Sequence, residues 1–249
     1  MIAEFLNFLY LNNFFRLAIY FLKILSIFDS KYKNNIIFFN FFKKRKKNYK
    51  KSVLKILYQP KVFIFNLNYD TEKIIKTIYN YDNLNIDNQY SDDGHSNVFQ
   101  SEHNLEKHKD FIEISKNLEF DINNKLKNHL NYQLLKINKL WFVITKNLGL
   151  IKKHSHFDSD FSGVIYLKVE KSNNSENGLR LYNYLKNIEI YKFSKDNQKF
   201  IKSINKNHTI LFKPKINDII IFNSFIEHSV DNKTLNNVDR ISLPFDLIF

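Results

Sequence analysis

The residues best suited to chemistry fall in two short stretches of the C-terminal half. His154-Ser155-His156 lies in a polar run just before the apolar stretch Gly163–Val169, and His228 follows a second apolar run, Asp218–Phe222, by a short connection. Residues two apart on an extended chain project to the same side, so His154 and His156 can converge on one ion. Beyond His228 comes Arg240, with Ser242 two residues further along the final strand and on the same face. Two neighbouring ligands, a distant third and a later arginine form the layout needed to hold a metal together with a carboxylate. Non-haem Fe(II) takes three protein ligands on one face and leaves the opposite positions open. A guanidinium grips a carboxylate through two parallel hydrogen bonds, and a serine hydroxyl can add a third. The other histidines, His95, His103, His108, His129 and His208, match no metal spacing and read as surface or loop residues.

The elements that must position these groups are short and β-rich. From Lys139 onward, runs such as Leu140–Thr145, Gly163–Val169, Leu179–Tyr182, Ile188–Phe193, Thr209–Phe212, Asp218–Phe222 and Arg240–Ile248 alternate with polar turns. That rhythm predicts a sandwich or barrel. Upstream, Gln59-Pro60 marks a break, Lys61–Leu67 reads as a strand, and Asp70 can cap a helix running to Tyr79. Asn80 to Asn97 is rich in Asn and Asp and reads as a loop, while the apolar spacing from Leu105 to Leu130 predicts one or two helices. The expected class is therefore mainly β with flanking helices.

Composition narrows the chemistry. Among 249 residues there is no Cys, which excludes a disulfide scaffold, a thiolate metal site and a Cys nucleophile. Four Gly and no Gly-rich loop argue against a fold that cradles nucleotide phosphates. The net charge of +13 is unevenly spread: residues 1–61 hold 13 Lys/Arg against Glu4 and Asp29, and the remainder holds 25 against 23 acids. The near-neutral body carries no footprint for nucleic acid, so any polyanion or membrane-surface role belongs to the basic N-terminal segment. Within that segment the longest uncharged run of the apolar stretch Ile2–Phe28 is Phe5–Phe15, too short for a span of about 20 helical residues. No signal-peptide pattern precedes it, and the default expectation is a cytoplasmic protein.

Helices are predicted over Phe5–Ile27, Asn34–Phe42 and Tyr49–Tyr58, with Lys43–Lys47 as a basic turn. At an offset of 34 residues, Phe15-Arg16-Leu17-Ala18-Ile19 aligns with Tyr49-Lys50-Lys51-Ser52-Val53. This loosely resembles the second helix of a tetratricopeptide repeat. Residues 1–59 thus read as a basic helical segment: a hairpin packed on the body, a degenerate repeat that docks a protein, or a segment that lies on an anionic surface.

The body, residues 60–249, resembles the 2-oxoglutarate- and Fe(II)-dependent oxygenases. The stretch His154-Ser-His156-Phe-Asp-Ser-Asp-Phe-Ser162-Gly163-Val164-Ile-Tyr166-Leu167 is similar to that family's His-x-His loop running into a Ser-Gly-Val-Tyr-Tyr strand. Asp218–Phe222, Ser224, Glu227-His228-Ser229-Val230 and Asp239-Arg240-Ile241-Ser242 resemble its second half. Trp141, Gly149 and Phe99-Gln100-Ser101 resemble its upstream residues, while Asn217, Asn223 and the loop after Leu179 depart from its pattern. The resemblance implies a double-stranded β-helix (jelly-roll) barrel with its core at about 139–249, Fe(II) as metal and 2-oxoglutarate as cosubstrate. It implies His228 as the distal ligand, Arg240 with Ser242 on the far carboxylate of 2-oxoglutarate, and Tyr166 reaching the same carboxylate. The proximal pair has two registers: His156 with Asp158, which completes the two-histidine, one-carboxylate triad usual in the wider superfamily, or His154 with His156. The resemblance leaves the substrate, a small molecule or a peptide, unspecified. Two readings compete with an oxygenase: a cupin-like metal-binding barrel without 2-oxo acid chemistry, and a non-catalytic interaction protein.

Overall fold

The apolar run after Pro60 forms β1 (Lys61–Asn66). Asp70 then caps α1 (Thr71–Tyr79) by accepting a hydrogen bond from the Lys73 amide at 3.1 Å. These elements belong to a computed structural model that describes residues 60–81, 97–146, 149–169, 178–182, 189–192, 201–202, 209–231 and 239–249. The helices expected in 1–59, and most of the loop expected at 80–97, lie outside the described residues. The helical stretch expected at 105–130 divides into a 3-10 turn, Leu105–Lys107, and α2, Ile112–Leu126.

The β-rich half folds into two sheets. The larger one runs β2 (Val98–Gln100), β4 (Val143–Thr145), β13 (Arg240–Ile248), β6 (Phe161–Lys168), β11 (Asp218–Asn223), β1 and β8 (Glu189–Lys192), with β3 (Lys136–Leu140) also paired to β13. The smaller runs β5 (Leu150–His154), β12 (His228–Asp231), β7 (Gly178–Tyr182), β10 (Thr209–Phe212) and β9 (Ile201–Lys202). Nearly all pairings are antiparallel; β8 lies parallel to β1. The architecture is the double-stranded β-helix that the family resemblance implies, with two α-helices beside it among the described residues. Among the described residues no helix is long and apolar enough to cross a membrane.

Register decides which side chains meet. Residues directly opposite on paired strands share a face. Ser242 lies opposite Tyr166, Pro244 opposite Val164, and Asp246 opposite Ser162. Ile220 lies opposite Val164 and Phe222 opposite Ser162. This face looks across at the smaller sheet: the Phe222 ring meets His228 edge-on at 4.9 Å and Tyr166 meets Phe212 at 6.0 Å. The opposite face carries Phe161, Ile165, Ile219, Ile221, Leu243, Phe245 and Leu247, all buried. There α1 lies against β6 and α2 against β3. The two-residue alternation therefore separates a greasy outer face from an inner face that can carry polar groups.

Gly163 sits on the crowded outer face. A Cβ there would meet the Phe245 ring at 2.3 Å and Ile221 Cγ1 at 3.1 Å. Both neighbours are fully buried, so neither can swing away into solvent. Gly163→Ala should lower unfolding free energy by about 1–3 kcal/mol, the usual penalty of overpacking. Urea unfolding followed by circular dichroism measures it, and an unchanged midpoint would contradict this packing.

Candidate metal centre and anion pocket

The smaller sheet sets two of the histidines side by side. His154 is the last residue of β5 and His228 the first of β12, and the two are register partners. His154 is thus a strand residue, whereas the sequence suggests a polar loop. Leu150-Ile151-Lys152-Lys153-His154 hides its strand character because β5 is a sheet edge, where lysines guard against further pairing. His156 lies two residues past β5, fixed by its own amide donating to Ser224 O at 2.9 Å.

One potential ligand nitrogen from each of His154, His156 and His228 lies within 4.8 Å of the other two. Their ring centroids are 4.2 Å (His154 to His228), 5.2 Å (His154 to His156) and 5.3 Å (His156 to His228) apart. In every ring Nδ1 faces an oxygen. His154 Nδ1 is 2.8 Å from Lys152 O, His228 Nδ1 is 3.1 Å from Ile226 O, and His156 Nδ1 is 2.8 and 2.9 Å from the two oxygens of Asp246. A carbonyl or carboxylate can only accept, so Nδ1 is the donor nitrogen of each ring and Nε2 is the nitrogen that can ligate. Burial, reinforced by the nearby His154 and His156, holds the His228 pKa well below the ordinary histidine value. The neutral imidazole that results is the ligating form.

Asp158 does not join this cluster. Its side chain is 57% exposed and pairs with Lys139 through a short hydrogen bond. Burial pushes its carboxyl up, but the Lys139 hydrogen bond and charge outweigh that and bring it below the ordinary value. Among the described residues the three histidines are the only group arranged to hold a metal ion.

The second half of the site is on the larger sheet. Arg240 opens β13, is buried, and has no carboxylate partner among the described residues. Its guanidinium carbon lies 4.9 Å from the centroid of the Tyr166 ring. The Tyr166 hydroxyl is fully buried with no hydrogen-bond partner of good geometry among the described residues. Burial pushes its pKa up against the opposing pull of Arg240, so it is a neutral phenol with a proton to donate. Ser242 stands opposite Tyr166 on the adjacent strand, buried and on the same face. A cation and an unsatisfied donor buried together are costly unless an anion enters. The donor chemistry fits one carboxylate here, with a divalent first-row metal on the imidazoles.

Two features near the histidines escape a reading of spacing. Asp246, 1% exposed, accepts from His156 and also from Ser162 Oγ at 2.7 Å. Its signal in the sequence is a lone acid within the otherwise apolar stretch Leu243–Ile248, which must have partners if buried. The second is an aromatic stack: the His103 ring lies on Trp141 at 4.5 Å, and Trp141 lies 5.8 Å from His156. His103 is thereby tied to the site's rim, not left in a free loop.

Residues 139–246 match the family model described as "Putative 2OG-Fe(II) oxygenase". The fold is similar to that of HygX from Streptomyces hygroscopicus, solved with nickel and 2-oxoglutarate bound, at a TM-score of 0.52 and 11% identity over 80% of this chain and 87% of that one. It is similar also to a prolyl hydroxylase from Trichoplax adhaerens, solved with a hypoxia inducible factor peptide fragment, at a TM-score of 0.52 and 13% identity over 82% and 92%. The non-heme alpha ketoglutarate dependent epimerase SnoN gives 0.51 at 9% identity over 79% of each chain. At such identities the likeness establishes the fold. No curated protein matches the sequence.

Proposed function

We propose that this chain, a 2OG-Fe(II) oxygenase over residues 139–246, hydroxylates a small-molecule or peptide substrate through His154, His156 and His228 as metal ligands and Arg240, Ser242 and Tyr166 as the 2-oxoglutarate anchor. When bound, Fe(II) and 2-oxoglutarate supply the oxidation: O2 is reduced, the 2-oxo acid loses CO2 to become succinate, and one oxygen atom passes to a substrate C–H bond. The chain's own residues hold and orient. One ring nitrogen from each histidine comes to the cluster, from β5, the turn after it and β12. Across the barrel, Arg240 presents a two-pronged donor and Tyr166 a phenolic proton to a single carboxylate. Burial of both keeps water from competing for that carboxylate.

The observation that carries this reading is the pairing of a three-imidazole cluster with a buried arginine that lacks an acidic partner among the described residues. A metal-binding barrel without 2-oxo acid chemistry has no use for Arg240 and the unsatisfied Tyr166 hydroxyl, and a decayed interaction protein has no use for either half. The register His154 with His156 is favoured over His156 with Asp158, because Lys139 already occupies the Asp158 carboxylate. The reading treats residues 60–249 as the catalytic body and 1–59 as a separate basic segment that docks a protein or an anionic surface. It places the chain in the cytoplasm, where the metal and the 2-oxo acid are available.

The test is anaerobic addition of Fe(II) and then 2-oxoglutarate. A weak visible charge-transfer band should appear only with both present, and admission of air should release succinate. Absence of the band together with absence of succinate would end this reading.

A further inference from the structure

We propose that Asp246 is a positioning residue that supplies, from behind His156, the negative charge that a set of three neutral histidine ligands lacks. The inference rests on the metal site proposed above and goes beyond it. A two-histidine, one-carboxylate site neutralises part of the charge of a divalent ion with its own ligand; three imidazoles neutralise none. Asp158, the acid that spacing offers for that task, is exposed and engaged by Lys139. Asp246 is the acid that reaches the cluster.

Both of its oxygens lie within 2.9 Å of His156 Nδ1, and its Oδ1 accepts from Ser162 Oγ at 2.7 Å. It cannot turn away. Asp246 is the direct register partner of Ser162 on β6, and Leu247 O next to it accepts from the Asp160 amide at 2.8 Å. At 1% exposure it is shut off from bulk solvent, and these donors are its partners. The carboxylate therefore locks the His156 ring in the Nδ1-protonated tautomer with Nε2 aimed at the cluster. It also makes that imidazole a stronger donor to a cation, as carboxylates behind metal-bound histidines do. No proton need leave His156 for this.

The test uses the full chain and Co(II) as the probe, titrated by its visible absorption. Asp246→Asn keeps an acceptor oxygen and loses the charge; it should weaken Co(II) binding about 10-fold, and Asp246→Ala about 100-fold, the range known for such outer partners. Imidazole 15N shifts of the metal-free protein should show His156 in one tautomer in wild type and a mixture in Asp246→Ala. Ser162→Ala, which keeps the charged carboxylate, should bind Co(II) with close to wild-type affinity. Wild-type affinity in Asp246→Asn would overturn the inference, and so would a loss in Ser162→Ala equal to that in Asp246→Asn, since the pocket's packing would then be the cause. Should Asp246→Ala fail to fold, the near-isosteric Asn variant carries the test. Failure of the wild-type protein to bind Co(II) at all would instead sink the metal site itself.

Discussion

His228→Ala should abolish Fe(II) binding at concentrations that saturate the wild-type protein, and with it all succinate release. His228 has the least freedom of the three proposed ligands: it is 6% exposed, its Nδ1 is held by Ile226 O, and the Phe222 ring abuts its edge. Its register partners offer no spare donor: Leu181 on β7 is apolar, and His154 on β5 is itself a proposed ligand. The loss should exceed the roughly 100-fold that removal of an outer partner costs. His154→Ala should be comparably damaging if the three-histidine set holds the metal. Asp158→Asn should leave metal binding intact and cost at most about 1 kcal/mol of stability, the worth of an exposed ion pair. Isothermal titration under argon reads all three. The opposite ranking, with Asp158→Asn severe and His154→Ala mild, would restore the two-histidine, one-carboxylate register.

How much of this was legible beforehand depended on what kind of signal each residue gives. The barrel was legible because strands such as Asp218–Asn223 and Arg240–Ile248 are buried nearly end to end and carry the apolar stretches Ile219–Phe222 and Leu243–Phe245 between their few polar residues. β5 was not, since an edge strand bearing Lys152 and Lys153 has the composition of a loop. Gathering His154, His156 and His228 required only order and spacing, but choosing between the two proximal registers required knowing where Asp158 points. Sequence spacing cannot say that Lys139, on another strand, claims it. Asp246 was hidden for the opposite reason. It lies 90 positions from His156, and only the β6–β13 register brings it behind the ring. That Tyr166 stands beside Ser242, on the neighbouring strand of the same sheet, likewise comes only from the β6–β13 register.

Arg240→Ala should uncouple the two halves of the site: 2-oxoglutarate binding falls while the metal stays. Truncating one partner of a buried charged pair costs about 2–5 kcal/mol. At about 1.4 kcal/mol per decade, that is from roughly 30-fold to a few thousand-fold in affinity. The metal should be indifferent, since Arg240 sits on the larger sheet over the Tyr166 ring, whereas His154 and His228 stand on the smaller sheet. Arg240→Lys keeps the charge and loses the fork, so it should fall between wild type and Ala. Loss of metal in Arg240→Ala would mean that the arginine holds the fold instead of an anion. Tyr166→Phe separates these meanings further. Its hydroxyl is buried and has no hydrogen-bond partner of good geometry among the described residues. Removing it should leave the ligand-free protein as stable or slightly more so, because a desolvated group without a partner contributes nothing. The same change should weaken 2-oxoglutarate by about 1–3 kcal/mol, the worth of one hydrogen bond to a charged group. Stability gained and cosubstrate affinity lost in a single variant is the behaviour of a pocket built for an anion. If Tyr166→Phe lowered stability and left 2-oxoglutarate binding unchanged, the hydroxyl would belong to the core, and the anchor would reduce to Arg240 and Ser242.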